Sequence, residues 1–144
     1  MAEGILRVKL NLSGISSFID SCGFESFHVG DAPDPRAIRE CSSNYIDISE
    51  HRARLFKASD LDEFDYIFVM DSSHYRNVMK VGNGRNFHAR VDYILNEIHP
   101  HSNSEVMDPW YHDQAAFHLV FNQLSQACEN FVSRYREKIK RCKA

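Results

Sequence analysis

The chain has 144 residues, of which 43% are hydrophobic and 26% charged, with a formal net charge of −3. That length suits one domain with a real core. The mildly acidic balance excludes the broad nucleic-acid or membrane footprint that needs clustered Lys and Arg. No apolar run approaches the roughly 20 residues of a membrane-spanning helix. In chain order, Met1, Ile5, Val8 and Leu12 fall on one stripe of a helix that Ser13-Gly14 ends, with Gly14 suited to a left-handed position. Residues 15–21 are β-rich and predict a strand, and residues 22–33 a loop. Asp34-Pro35 starts a helix by capping it and fixing its first φ, with Ala37, Ile38 and Cys41 inward. Ser59-Asp60-Leu61-Asp62 opens a short helix. Tyr66-Ile67-Phe68-Val69-Met70 is a continuous apolar run, the pattern of a parallel strand buried on both faces. Asp71 then caps a helix over about 72–80, a turn follows at Val81-Gly82-Asn83-Gly84, and residues 91–95 give a further strand. Asp113 caps a long helix with an inward stripe of Phe117, Phe121, Leu124, Cys128, Phe131 and Tyr135. The basic run over 134–143 suits the end of that helix, where cations complement its dipole. Alternating strands and helices predict an α/β layer fold with parallel strands.

The four cysteines, Cys22, Cys41, Cys128 and Cys142, show neither zinc-ribbon nor Cys-x-x-Cys spacing. The residues after Met1 do not read as a secretory leader. Thiols in a reducing cytoplasm are therefore expected. Of the eight histidines, neither His99 with His101 nor His112 with His118 has metal-binding helical spacing. No metal and no cofactor is expected.

Three stretches carry chemical information in combination. They are Asp34-Pro35-Arg36-Ala37, then Phe64-Asp65-Tyr66-Ile67-Phe68-Val69-Met70-Asp71, then Asp108-Pro109-Trp110-Tyr111. In this order and spacing they resemble the low-molecular-weight protein tyrosine phosphatases. The resemblance implies a three-layer α/β fold, a parallel sheet flanked by helices, forming a single phosphatase-like domain over residues 1–144. It implies hydrolysis of a phosphotyrosine protein or a small aryl phosphate through a phosphocysteine.

Such hydrolysis needs a thiolate of lowered pKa, a ring of backbone N–H groups with a forked Arg for the phosphoryl oxygens, and an acid for the leaving phenolate. By resemblance Asp108 is the proton donor, and Trp110 and Tyr111 form an aromatic wall beside the substrate ring. The family has Tyr where Trp110 stands. Phe27 matches an aromatic that lines the substrate crevice. Asp71 matches a carboxylate at the rim, although plain helix capping explains it. Arg36 and His51-Arg52-Ala53-Arg54 also match, and capping and ion pairing explain them.

The family's nucleophile lies in a Cys-x5-Arg-Ser-Pro loop just before a helix like the one at residues 1–12, and no such loop occurs in the 144 residues. The one literal Cys-x5-Arg, Cys128 to Arg134, sits inside the long helix. There the backbone N–H groups are already bonded four residues back and cannot cradle phosphate. Cys22 reads as a small buried side chain in a loop. The chain is therefore expected to be inactive as it stands, a truncated or mis-started phosphatase whose longer form is active. The family's first, interior strand is absent as well. The strands at 15–21 and 66–70 lose their shared neighbour, which predicts instability, a rearranged sheet or oligomers formed through the unpaired sheet. Two other readings compete. One is a noncatalytic phosphatase-like protein that binds or regulates a partner through its aromatic residues. The other is a related arsenate reductase, disfavoured by the aromatic acid loop.

Overall fold

A computed structural model describes residues 1–143, with side chains through residue 137. The side chains of Cys142 and of the later part of the basic run lie outside the described residues. The described chain falls into two compact units.

The first unit comprises Met1–Asp20, Ala32–His51 and the chain from Met107 onward. It is helical, and its spine is the long helix α5, Gln114–Lys143. Helices α1, Ala2–Leu12, and α2, Pro35–Ser43, both pack on it. The inward stripe of α5 is buried as its spacing predicts, from Phe117 through Phe121, Leu124 and Cys128 to Phe131, and Val120, Ala127 and Val132 widen it. On α1, Ile5 and Leu10 are buried, and on α2, Ala37 and Cys41. The expected α1 stripe fails at its last member, because Leu12 is 84% exposed where the helix ends. That end is a full Schellman closure. The Gly14 N–H donates to the Asn11 carbonyl and the Ile15 N–H to the Leu10 carbonyl, with Gly14 at φ +68°. Gly4 is needed on the opposite side, since a Cβ there would lie 2.5 Å from Cγ2 of Ile48.

The second unit comprises Ser21–Asp31 and Arg52–Val106. Two parallel strands, β1 at Tyr66–Val69 and β2 at Arg90–Tyr93, pair from Tyr66 opposite Arg90 to Val69 opposite Tyr93. Helix α4, Ser72–Gly82, packs on both strands. Leu61 from the short helix α3, Asp60–Glu63, is enclosed with Val69 and Val78, and the rings of Phe24, Phe56, Phe87, Tyr75 and Tyr93 surround them. Each of the three buried side chains contributes about 1.5–3 kcal/mol of burial. The α/β class, with a parallel sheet flanked by helices, is the one expected.

Four expectations need correction. Residues 15–21 form no strand, because β propensity makes a strand only beside a ladder, and none adjoins them among the described residues. Strand β1 is not buried on both faces. Only Val69 is fully enclosed, because β1 pairs with β2 alone among the described residues. Strand β2 starts and ends earlier than 91–95, since β1 stops at Val69 and residues Ile94–Glu97 turn into a 3-10 helix. The turn expected at 81–84 is likewise partly helix, because α4 runs through Gly82 before Asn83 takes the left-handed conformation that ends it.

Candidate active site

Asp34 and Pro35 open α2 in the way their residue types dictate. The Asp34 carboxylate accepts the Arg36 N–H at 2.7 Å, and Pro35 occupies a first-turn position with no N–H to satisfy. The same carboxylate then holds the Arg36 side chain, with Nε at 3.1 Å from Oδ1 and Nη2 at 2.7 Å from Oδ2. The Arg36 guanidinium so bonded keeps the Asp34 carboxyl below the usual carboxylate range, and the carboxylate in turn raises Arg36.

The fork of Arg36 continues into the segment that carries Asp108. Nη2 donates to the Trp110 carbonyl at 2.9 Å and Nη1 to the His112 carbonyl at 2.7 Å. Its carbon lies 4.6 Å from the centre of the buried Phe117 ring, a cation–π seat. The segment also ties itself together. Asp108 Oδ1 accepts the Trp110 N–H at 2.9 Å, and the His112 N–H donates to the Pro109 carbonyl at 2.9 Å. Asp108 is exposed, and its other oxygen is not engaged by protein among the described residues. Trp110 is 51% and Tyr111 90% exposed, an unusual display for large aromatic rings. Asp108, Trp110 and Tyr111 are thus together on one turn of the first unit.

Phe27 belongs to the second unit, in a 3-10 turn over Ser26–His28. It is 73% exposed, with its ring 4.4 Å from that of His28. Asp71, also in the second unit, serves its helix. Its Oδ1 accepts the His74 N–H and the Ser73 hydroxyl, both at 2.7 Å. Burial pushes its carboxyl up, but these hydrogen bonds together outweigh that and hold it below its ordinary value. Arg54 donates to buried Asp60 at 2.9 Å, which also accepts the Lys57 N–H at 2.8 Å. Arg54 is therefore an ion-pairing residue, as expected.

The cysteines divide sharply. Cys128 is buried inside α5, with Sγ 4.0 Å from the Ala2 carbonyl, and Arg134 lies over the Phe131 ring at 5.5 Å. No phosphate cradle exists there. Cys41 is fully buried, and burial pushes its thiol up, the wrong direction for a nucleophile. Cys22 is exposed, not buried as its size suggested, because it lies beside a single bridge between Gly23 and Leu55 rather than inside a sheet.

A clamped aromatic turn bearing an exposed aspartate, set beside an Asp-Pro-Arg helix start, is the arrangement expected of one family. The sequence model described as low molecular weight phosphotyrosine protein phosphatase matches residues 1–142. The chain belongs to that family. It is 37% identical over 149 residues to the low molecular weight phosphotyrosine protein phosphatase of Dictyostelium discoideum, covering 92% of this chain and 83% of that one. The Schizosaccharomyces pombe phosphatase of the same name is 36% identical over 92% of this chain and 85% of its own length. Among solved structures, a protein tyrosine phosphatase from Entamoeba histolytica superposes with a TM-score of 0.82 at 25% identity, over 95% of this chain and 88% of that one.

Reading the sequence of this phosphatase-family chain missed two features. One is the reach of Arg36 to the Trp110 and His112 carbonyls. The only available signal was an Arg two residues after a capping Asp, which local capping already explained. The other is the buried Glu40, which receives His118 Nδ1 at 2.8 Å and Gln114 Nε2 at 3.4 Å. Among the described residues no three His, Cys, Asp or Glu side chains gather as a metal site would require, and no helix is long and apolar enough to cross a membrane.

Proposed function

We propose that the chemistry this chain's Asp108 turn serves is hydrolysis of phosphotyrosine monoesters, free or in a protein, with Asp108 as the proton donor to the leaving phenolate once a thiolate nucleophile is supplied. When a thiolate nucleophile forms its S–P bond and the aryl P–O bond breaks, the electron pair of that bond stays on the phenolate oxygen, which takes the Asp108 proton. Asp108 is then a carboxylate able to receive a proton from the water that hydrolyses the phosphoenzyme. Trp110 and Tyr111 supply aromatic faces for the substrate ring. The observation that carries this reading is the position of Asp108, at the solvent surface on a turn held by Arg36 and immediately before two exposed rings. We read the described residues as one phosphatase-like domain, because the family match spans both units. A reducing cytoplasm suits its thiols. If copies associate, the two-stranded sheet is where a further strand would add.

No thiol described in the 144 residues suits attack on phosphorus, so this polypeptide is expected to show no turnover. Assay of p-nitrophenyl phosphate hydrolysis tests this. Activity abolished by Cys128→Ser would overturn the dismissal of that thiol. The display of Trp110 and Tyr111 favours one second reading, a noncatalytic binder. Affinity for a phosphotyrosine peptide lost with Trp110→Ala, and no hydrolysis, would support it.

A further inference from the structure

Arg36 is committed beyond the needs of a helix start. Capping of α2 is complete with the Asp34 carboxylate and the Arg36 backbone N–H. The side chain adds four donated bonds, one from Nε, one from Nη1 and two from Nη2. Two end on Asp34 and two on the carbonyls of Trp110 and His112. Those carbonyls flank Tyr111, and Trp110 is itself tied through its N–H to Asp108.

We propose that Arg36 is a positioning residue that sets where Asp108, Trp110 and Tyr111 stand. This rests on the reading of that turn as the acid loop. Only a planar guanidinium fits the place. It presents five donors in a fixed fork, and it bonds a carboxylate and two carbonyls at once while seated over the Phe117 ring. A Lys ammonium at the same position has neither the plane nor the fork. Asp108, Trp110, Tyr111 and His112 are all exposed, so core packing does not enclose them as it does Phe117. Proton transfer demands placement of the acid to within a fraction of an ångström, and an error of ~1 Å costs on the order of 10²-fold in rate. Arg36 therefore acts on proton delivery through the loop and touches neither substrate nor reacting atoms.

Trp110 is the single tryptophan of the chain, so its fluorescence reports this turn alone. The experiment compares acrylamide quenching and anisotropy of Trp110 in the 144-residue chain with those of Arg36→Lys, Arg36→Ala and Asp34→Asn, alongside circular dichroism. With the helical signal intact, Arg36→Lys and Arg36→Ala are expected to raise the quenching constant roughly twofold or more, as a local opening would. Asp34→Asn keeps a capping acceptor and loses the ionic half of the clamp, so it is expected to move the signal the same way by less. It also decides the matter should Arg36→Ala fail to fold. Wild-type quenching and anisotropy in folded Arg36→Lys or in folded Asp34→Asn would overturn the proposal. A purely structural Arg36 would lower the melting temperature and leave the native Trp110 signal alone. No hydrolysis or substrate enters the measurement. Failure of the Asp108 proton-donor reading would therefore show in catalysis, and failure of the clamp in Trp110.

Discussion

Glu40 and His118 are joined by a 2.8 Å hydrogen bond from Nδ1 of the half-exposed imidazole to Oε1 of a carboxylate only 7% exposed. The same carboxylate receives Gln114 Nε2 at 3.4 Å and Asn44 Nδ2 at 3.5 Å, and Asn122 Nδ2 donates to His118 Nε2 at 3.0 Å. One acid on α2 therefore ties itself to two side chains of α5. Because several donors converge on it, truncating the acceptor leaves more unmet polar groups than truncating any one donor. Glu40→Ala is expected to lower unfolding stability by about 2–3 kcal/mol, and His118→Ala by about 1 kcal/mol or less. Urea denaturation of the two variants checks this, and equal losses would contradict it.

The Asp34–Arg36 pair has a pH signature. The folded-state carboxyl of Asp34 lies below its ordinary value of 3.8, so the unfolded chain binds the proton first as pH falls. The stability from this pair is fully present above the unfolded value and is lost as pH drops through the lowered folded one. Asp34→Asn is expected to be less stable than wild type by a constant amount from pH 5 to 7, with the gap closing below about pH 4. Stability curves measured from pH 7 to pH 3 would show whether the difference converges.

Gly4 and Gly82 are fixed by close approach rather than by backbone angle. A Cβ on Gly4 would meet Ile48 Cγ2 at 2.5 Å, and one on Gly82 would meet the Phe87 ring at 2.9 Å. Alanine raises intrinsic helix propensity by about 1 kcal/mol over glycine, but overpacking costs typically 1–3 kcal/mol. Gly4→Ala is expected to be net destabilising by ~1–2 kcal/mol. Gly82→Ala should cost less, because a ring edge can shift. Thermal melts of the two variants test the order.

Leu61 is completely enclosed between Val69 and Val78. Leu61→Ala is expected to lose about 2–5 kcal/mol, the cost of transfer plus cavity. Hydrogen exchange at β1 and β2 amides should rise with it, since Leu61 also offers its carbonyl to the Ala89 N–H at 2.8 Å just before β2. Unchanged exchange at those amides would separate Leu61 from the sheet.

What the sequence disclosed follows from the range of the forces involved. The caps at Asp34 and Asp71, the Gly14 closure and the α5 stripe are local, so a few neighbouring letters specify them. The strand expected at 15–21 was lost because a ladder is a property of two segments, and only one was legible. Asp108, Trp110 and Tyr111 were recognisable from their motif and do stand together on one turn. Their support by Arg36 was not recognisable, because it joins residues 74 and 76 positions apart. Glu40 escaped notice for the same reason, as its partner His118 is 78 positions away.

The unequal enclosure of the thiols has a practical consequence. Cys22 lies at the surface of the second unit, whereas Cys41 and Cys128 are shut inside the first. A maleimide dye, with Cys142 replaced, would settle on Cys22 alone under native conditions. Trp110 is a natural donor in the first unit. A single labelling reaction thus turns the chain into a ruler, and energy transfer between indole and dye would read the separation of its two units in solution and any change in it when a phosphate ester binds.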